Sequence, residues 1–129
     1  MQVDTEVRKI DLQELFRFKG VAFISGPFRG ANHWQIHCNV TEAEKAIPKL
    51  IGMGYIPYCP HTTTRHLQDL FPDNTFLDMC LAFIQQMNPE TDIMYMLKNW
   101  ENSEGSTEEH ELALARNLQV VYEKAPDEF

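Results

Sequence analysis

The sequence predicts an α/β domain built on a single doubly wound, mostly parallel sheet, flavodoxin- or Rossmann-like, of four to five strands with helices on both faces. Three observations carry that expectation. The runs Gly20-Val-Ala-Phe-Ile-Ser25 and Asp92-Ile-Met-Tyr-Met-Leu97 are almost continuously apolar, which suits strands covered on both sides. Stretches with helical spacing separate the strand candidates, so strands and helices alternate along the chain. Each of the first three strands also ends in turn formers, which places several loops at one end of the sheet.

Before the first strand, Leu12, Leu15, Phe16 and Phe18 have helical spacing and mark residues 1–19 as an arm or short helix packed on the domain. After Gly20–Ser25 and the turn Gly26-Pro-Phe-Arg-Gly30, a long helix is expected from Asn32 to Met53. Its buried positions would be Trp34, Val40, Ala43, Ile47, Leu50 and Ile51, with Pro48 as a kink or boundary and Gly52 and Gly54 as its end. Tyr55-Ile-Pro-Tyr-Cys59 is the second strand, and Pro57 assigns it to a sheet edge because proline donates nothing to a ladder. Pro60-His61 closes that strand, and Thr62–Asn74 is expected to be a loop over the site. Thr75 would cap a helix to Met87 with Phe76, Leu77, Cys80, Leu81, Phe83 and Ile84 on its apolar face. Asp92–Leu97 is the third strand, Thr107–Asn117 the following helix and Gln119–Tyr122 the fourth strand. Residues 123–129 read as a loose acidic tail.

At 129 residues with 43% hydrophobic content, one globular domain spanning residues 1–129 is expected, without repeats or linkers. A net charge of −8 argues against broad binding to a nucleic-acid polymer but leaves room for a small anion held by local positive groups. Cys38, Cys59 and Cys80 share no metal or redox spacing and read as reduced thiols. With no leader pattern and no apolar run of membrane-spanning length, a cytoplasmic protein without a membrane partner is expected.

Three loops carry candidate chemistry. In Gly26-Pro27-Phe28-Arg29-Gly30 the glycines permit close backbone approach, and Arg29 offers a planar charge suited to phosphate. The plainer account is a tight turn with a surface arginine. His61, with Arg65 and His66 nearby, sits at the mouth of the second strand; a third ligand at metal-like spacing is lacking, so no metal site is expected. Trp100–Ala113 supplies hydroxyls, a helix N-terminus and carboxylates. There Ser106-Thr-Glu-Glu109 also fits a capping box, in which Glu109 merely bonds back to Ser106. Ser103 and Thr107 are rival caps, and Glu108 and Glu109 are rival functional acids.

In their order and spacing these loops resemble the nucleoside 2-deoxyribosyltransferase-like superfamily, which includes the 2'-deoxynucleoside 5'-monophosphate N-glycosidases. The resemblance covers about residues 20–122. It implies a Glu109 nucleophile, four residues after Gly105, that attacks the anomeric carbon and forms a glycosyl ester. It implies that Asp92 protonates the leaving base or orients the site. Gly26 and Arg29 match the Gly-x-x-Arg-Gly loop of the monophosphate hydrolases, and Ser103 matches their serine near the 5'-phosphate. Gly105-Ser106-Thr107 departs from the Gly-Thr-Ala step of transferases acting on free nucleosides. Trp100, Phe28 and Tyr58 are candidates for stacking on the base.

The expectation is therefore an N-glycosidase acting on a (deoxy)nucleoside 5'-monophosphate without a cofactor. Its substrate-binding residues would be Gly26, Pro27, Phe28, Arg29, Gly30, His61, Trp100, Ser103, Gly105 and Ser106. The rivals are a nucleoside 2-deoxyribosyltransferase exchanging bases on free deoxynucleosides, and a non-catalytic nucleotide-binding or protein-interaction module. Resemblance further implies a homodimer or higher homo-oligomer.

Overall fold

A computed structural model describes residues 9–67 and 69–124. Four strands, β1 (Gly20–Ser25), β2 (Tyr55–Tyr58), β3 (Ile93–Met96) and β4 (Gln119–Tyr122), form one sheet in the order β2-β1-β3-β4. Every pairing is parallel. That order is the flavodoxin-type winding, so the predicted fold class is the observed one, with four strands among the described residues.

The two faces are read directly from the strands. Ala22, Ile24, Ile93, Tyr95 and Leu97 point one way, onto Ala43 of α2 (His33–Glu44) and Ala46 and Leu50 of α3 (Ala46–Gly52). Phe23, Met94 and Met96 point the other way. They meet Ile84 of α5 (Asp73–Gln86), Met87, and Ala113 of α6 (Glu104–Ala115). Phe23 is fully buried and touches the stacked rings of Tyr58 and Phe83, whose centroids lie 4.2 Å apart. From β1 the chain winds out to β2 and then back past β1 to β3. Crossovers of constant hand therefore place the helices on opposite faces.

Several boundaries differ from the sequence expectation. The long helix is two helices divided at Lys45, because Pro48 cannot donate to the carbonyl four residues back and obstructs an unbroken helix. Its first helix is capped by Asn32, which accepts from the Gln35 N–H at 2.9 Å. Val40, Ala43 and Leu50 are buried as expected, whereas Trp34 and Ile51 are exposed. Gly54, at φ +92°, turns the chain into β2. Pro57 does lie on an edge strand, paired on one side with Ala22.

The expected loop after β2 begins with a short helix, α4 (Pro60–Thr64), and α5 starts at Asp73 rather than at a Thr75 cap. On α5 only Ile84 of the expected apolar face is fully covered. The arm contains a four-residue helix, α1 (Leu12–Leu15), but Leu12, Leu15 and Phe16 stay exposed instead of packing. Residues 1–8 of that arm and 125–129 of the tail lie outside the described residues. Glu123 is not loose: its N–H donates to Met96 O at 2.8 Å and its carboxylate accepts from Lys98 N at 3.0 Å. No described helix is long and apolar enough to cross a membrane.

Asp92, immediately before β3, accepts from Val21 N at 2.8 Å, Asn88 N at 2.7 Å and the Thr91 hydroxyl at 3.1 Å. It thus ties the starts of β1 and β3 together. Asp92→Ala is expected to cost about 1–2 kcal/mol, because two backbone donors lose their acceptor. A lower urea midpoint at unchanged m checks this.

Candidate functional site

Strand order reverses at the β1–β3 boundary, so the loops after these strands diverge and open a crevice at their carboxyl ends. A cleft of about 870 Å³ occupies that position, within the range of small-molecule sites. Its wall comes from the Gly26–Gly30 loop, His61 of α4, the start and inner face of α5, and Asn102 to Glu109 at the head of α6.

Glu109 in that lining is held by Ser25, which is not itself part of the wall. Ser25 ends β1 and is buried, and its hydroxyl donates to Glu109 Oε1 at 2.6 Å. Glu109 is 7% exposed, whereas Glu108 faces solvent. Burial pushes the Glu109 carboxyl up to about 7, against the opposing hydrogen bonds from Ser25 and the Cys80 thiol. The Cys80 thiol is itself pushed up by burial and by the neighbouring Glu109. A carboxyl balanced near neutrality inside a cleft can act as nucleophile or as base.

Glu109 is not a capping residue. The cap of α6 is Ser103, whose Oγ accepts from Ser106 N at 3.2 Å. Glu109 therefore lies beyond the first turn, out of reach of a capping box at Ser106. Ser106 sits one turn before Glu109, is 2% exposed, and its hydroxyl has no partner among the described residues. Gly105 also lines the cleft; a Cβ there would meet Leu77 Cδ1 at 3.6 Å, an ordinary contact, so packing does not demand the glycine.

The Gly26–Gly30 loop is held from below. His61 Nε2 lies 3.1 Å from Gly26 O and 2.9 Å from Pro27 O. It therefore carries the proton and donates to both carbonyls. Burial lowers the His61 pKa, which favours the neutral ring, and its buried Nδ1 has no partner among the described residues. Asn39 of α2 donates to Phe28 O at 3.1 Å and Arg29 O at 2.9 Å. At the open rim the Arg29 guanidinium pairs with Asp73 of α5 at 2.7 Å, raising Arg29 and lowering Asp73. Both side chains are largely exposed.

Of the residues expected at the site, Gly26, Pro27, Phe28, Arg29, Gly30, His61, Ser103, Gly105, Ser106 and Glu109 all line the cleft. Two do not. Asp92 is at the opposite end of β3, where its oxygens serve backbone donors. Trp100 stands on a 3-10 turn (Trp100–Asn102) and packs against His110 and Tyr122, away from the cleft wall. His66 turns to a separate hollow with His33 and His37. Ser25, Asn39 and Cys80 were not singled out from sequence as site residues. Ser25 had one legible signal: a lone hydroxyl closing an apolar strand at the sheet edge where ligands bind.

Fold and site together define a doubly wound α/β domain with a carboxylate-lined cleft at its switch point. The chain belongs to the family described as Domain of unknown function (DUF4406), whose model matches residues 21–122, from β1 to the end of β4. No curated protein and no solved structure matches the chain.

Proposed function

We propose that this protein is an N-glycosidase that cleaves the base–sugar bond of a (deoxy)nucleoside 5'-monophosphate, with Glu109 as nucleophile. The observation that carries the reading is the buried Glu109 carboxyl in the lining of the switch-point cleft, held by the Ser25 hydroxyl. Glu109 attacks the anomeric carbon as the glycosidic bond breaks, capturing the oxocarbenium character of the sugar in an ester, while the base leaves with the bond's electron pair and takes a proton from solvent. Water then attacks the same carbon, gives one proton to solvent and releases the carboxylate. Ser25 keeps one carboxylate oxygen fixed, leaving the other to attack. In this reading Arg29 and Ser103, both in the cleft wall, receive the 5'-phosphate, which takes the place of Asp73 on the guanidinium.

A second reading is base exchange on free deoxynucleosides. It is favoured by the Arg29–Asp73 pair, which leaves the rim arginine already neutralised and suits an uncharged 5' end. We assign the protein to the cytoplasm, where its three free cysteines fit a reducing setting. We also assign it to a homo-oligomer, for which exposed Leu70, Phe71 and Met79 offer apolar surface.

The test is a chromatographic assay for free base over matched nucleosides and 5'-monophosphates, with and without an acceptor base. Arg29→Ala is expected to raise KM for monophosphates about tenfold, the loss of one charge-assisted contact, while leaving free nucleosides unaffected. Equal KM changes for both classes would assign the unphosphorylated substrate. Release of base from no compound under any condition would sink the enzyme reading.

A further inference from the structure

When an N-glycosidic bond breaks, the electron pair goes to the base nitrogen, and a neutral base departs readily only if a proton arrives with it. Among the described residues of the cleft wall, proton donors to the base are scarce. Glu109 is committed to the sugar, the Cys80 thiol is engaged by Glu109 and burial holds its proton on, and the His61 N–H is committed to the carbonyls of Gly26 and Pro27. Asp92 is at the far end of the sheet.

The charge of the wall is one-sided as well. Asp69, Asp73, Glu104 and Glu109 face a single guanidinium, Arg29, which Asp73 already pairs. Independently, the buried Ser106 hydroxyl in the same wall has no partner among the described residues, leaving a hydrogen-bonding position for a ligand. A positive charge beside Glu109 also favours its ionised, nucleophilic form, and a negative one opposes it.

We propose that the substrate's base is itself cationic: a nucleoside or nucleotide with a pyridinium-type ring, or a ring-alkylated purine, at the glycosidic bond. This deepens the preceding reading and rests on Glu109 as nucleophile. Glu109 forms a bond to the anomeric carbon while the carbon–nitrogen bond breaks. The electron pair neutralises the ring, and the base leaves uncharged without needing a proton. Water then attacks the anomeric carbon, the carboxylate leaves, and one proton passes to solvent.

The test uses two uncleavable probes on one carbocyclic sugar: 3-carbamoylpyridinium and its neutral isostere, 3-carbamoylphenyl. Calorimetric titration at pH 8 and low salt is expected to show the cation binding at least about tenfold tighter, with the gap narrowing as salt rises. In the Asp69→Asn/Glu104→Gln protein the preference should fall to about threefold, since two rim charges are gone. Equal or weaker binding of the cation overturns the inference. If neutral nucleosides nevertheless release base in a Glu109-dependent way, the N-glycosidase reading survives that failure. If neither probe binds and no nucleoside, charged or neutral, is cleaved, both fall together.

Discussion

Glu109→Gln is expected to abolish base release and, at pH 8, to yield a protein more stable than its parent. The activity loss should be at least about a thousandfold, because an amide cannot form the glycosyl ester. In the parent, the rate should climb as pH rises through about 7, where the carboxylate forms, and level off above it.

The stability gain follows from the same burial. The Glu109 carboxyl titrates near 7 in the fold against an ordinary value of 4.5. Between these values the native protein keeps a proton that the unfolded chain has released, so parent stability falls as pH rises through that window. Above about 7 the full penalty, about 2–4 kcal/mol, is in place. Glutamine retains an oxygen for the Ser25 hydroxyl and has no charge to desolvate. At pH 8 its melting temperature should exceed the parent's by about 10 °C, and near pH 4.5 the two should coincide. Melting curves at both pH values check this; coincidence at pH 8 would remove Glu109 from the list of strained, buried carboxylates.

How much was legible beforehand divides by physical cause. Apolar runs such as Gly20–Ser25 are conspicuous because both faces must be covered, so the sheet and the alternation were readable. The helix start at Asn32 was readable too, but that of α6 was not, since local chemistry offered equivalent choices: Ser103, Ser106 and Thr107 all carry a capping oxygen. Tertiary placement of the loop after Leu97 selects Ser103, and that choice moves Glu109 from cap to cleft. Asp92 was readable and misplaced. In a parallel sheet an acid that precedes a strand lies at the edge opposite the ligand crevice, so its position alone argues against a role beside Glu109. Cys80 could not be read, because which thiol meets which carboxyl depends on how α5 packs against α6.

Gly26→Ala is expected to destabilise the protein and to displace the loop that carries Arg29. Gly26 is buried where β1 ends, and a Cβ there would fall well inside contact with Leu97 Cδ1 and 2.9 Å from Leu97 Cβ. Leu97 cannot withdraw freely: it is 3% exposed in the core, and its N–H donates to Ser25 O at 2.8 Å. Overpacking of this kind costs about 2–3 kcal/mol. The loop cannot withdraw freely either, because the carbonyls of Gly26 and Pro27 are bound to His61. Leu97→Ala alone should cost about 2–4 kcal/mol through the cavity it leaves. With both changes, the alanine at 26 gains room from the lost leucine branches, and the total should fall short of the sum by at least about 1 kcal/mol. Base release should follow the same pattern: a drop of about tenfold or more in Gly26→Ala from misplacing the loop, partly restored by the second change. Denaturant midpoints for the four proteins of the cycle measure the coupling. Strict additivity would mean that Leu97 does not hold the loop, and that Gly26 is required for some reason other than this contact.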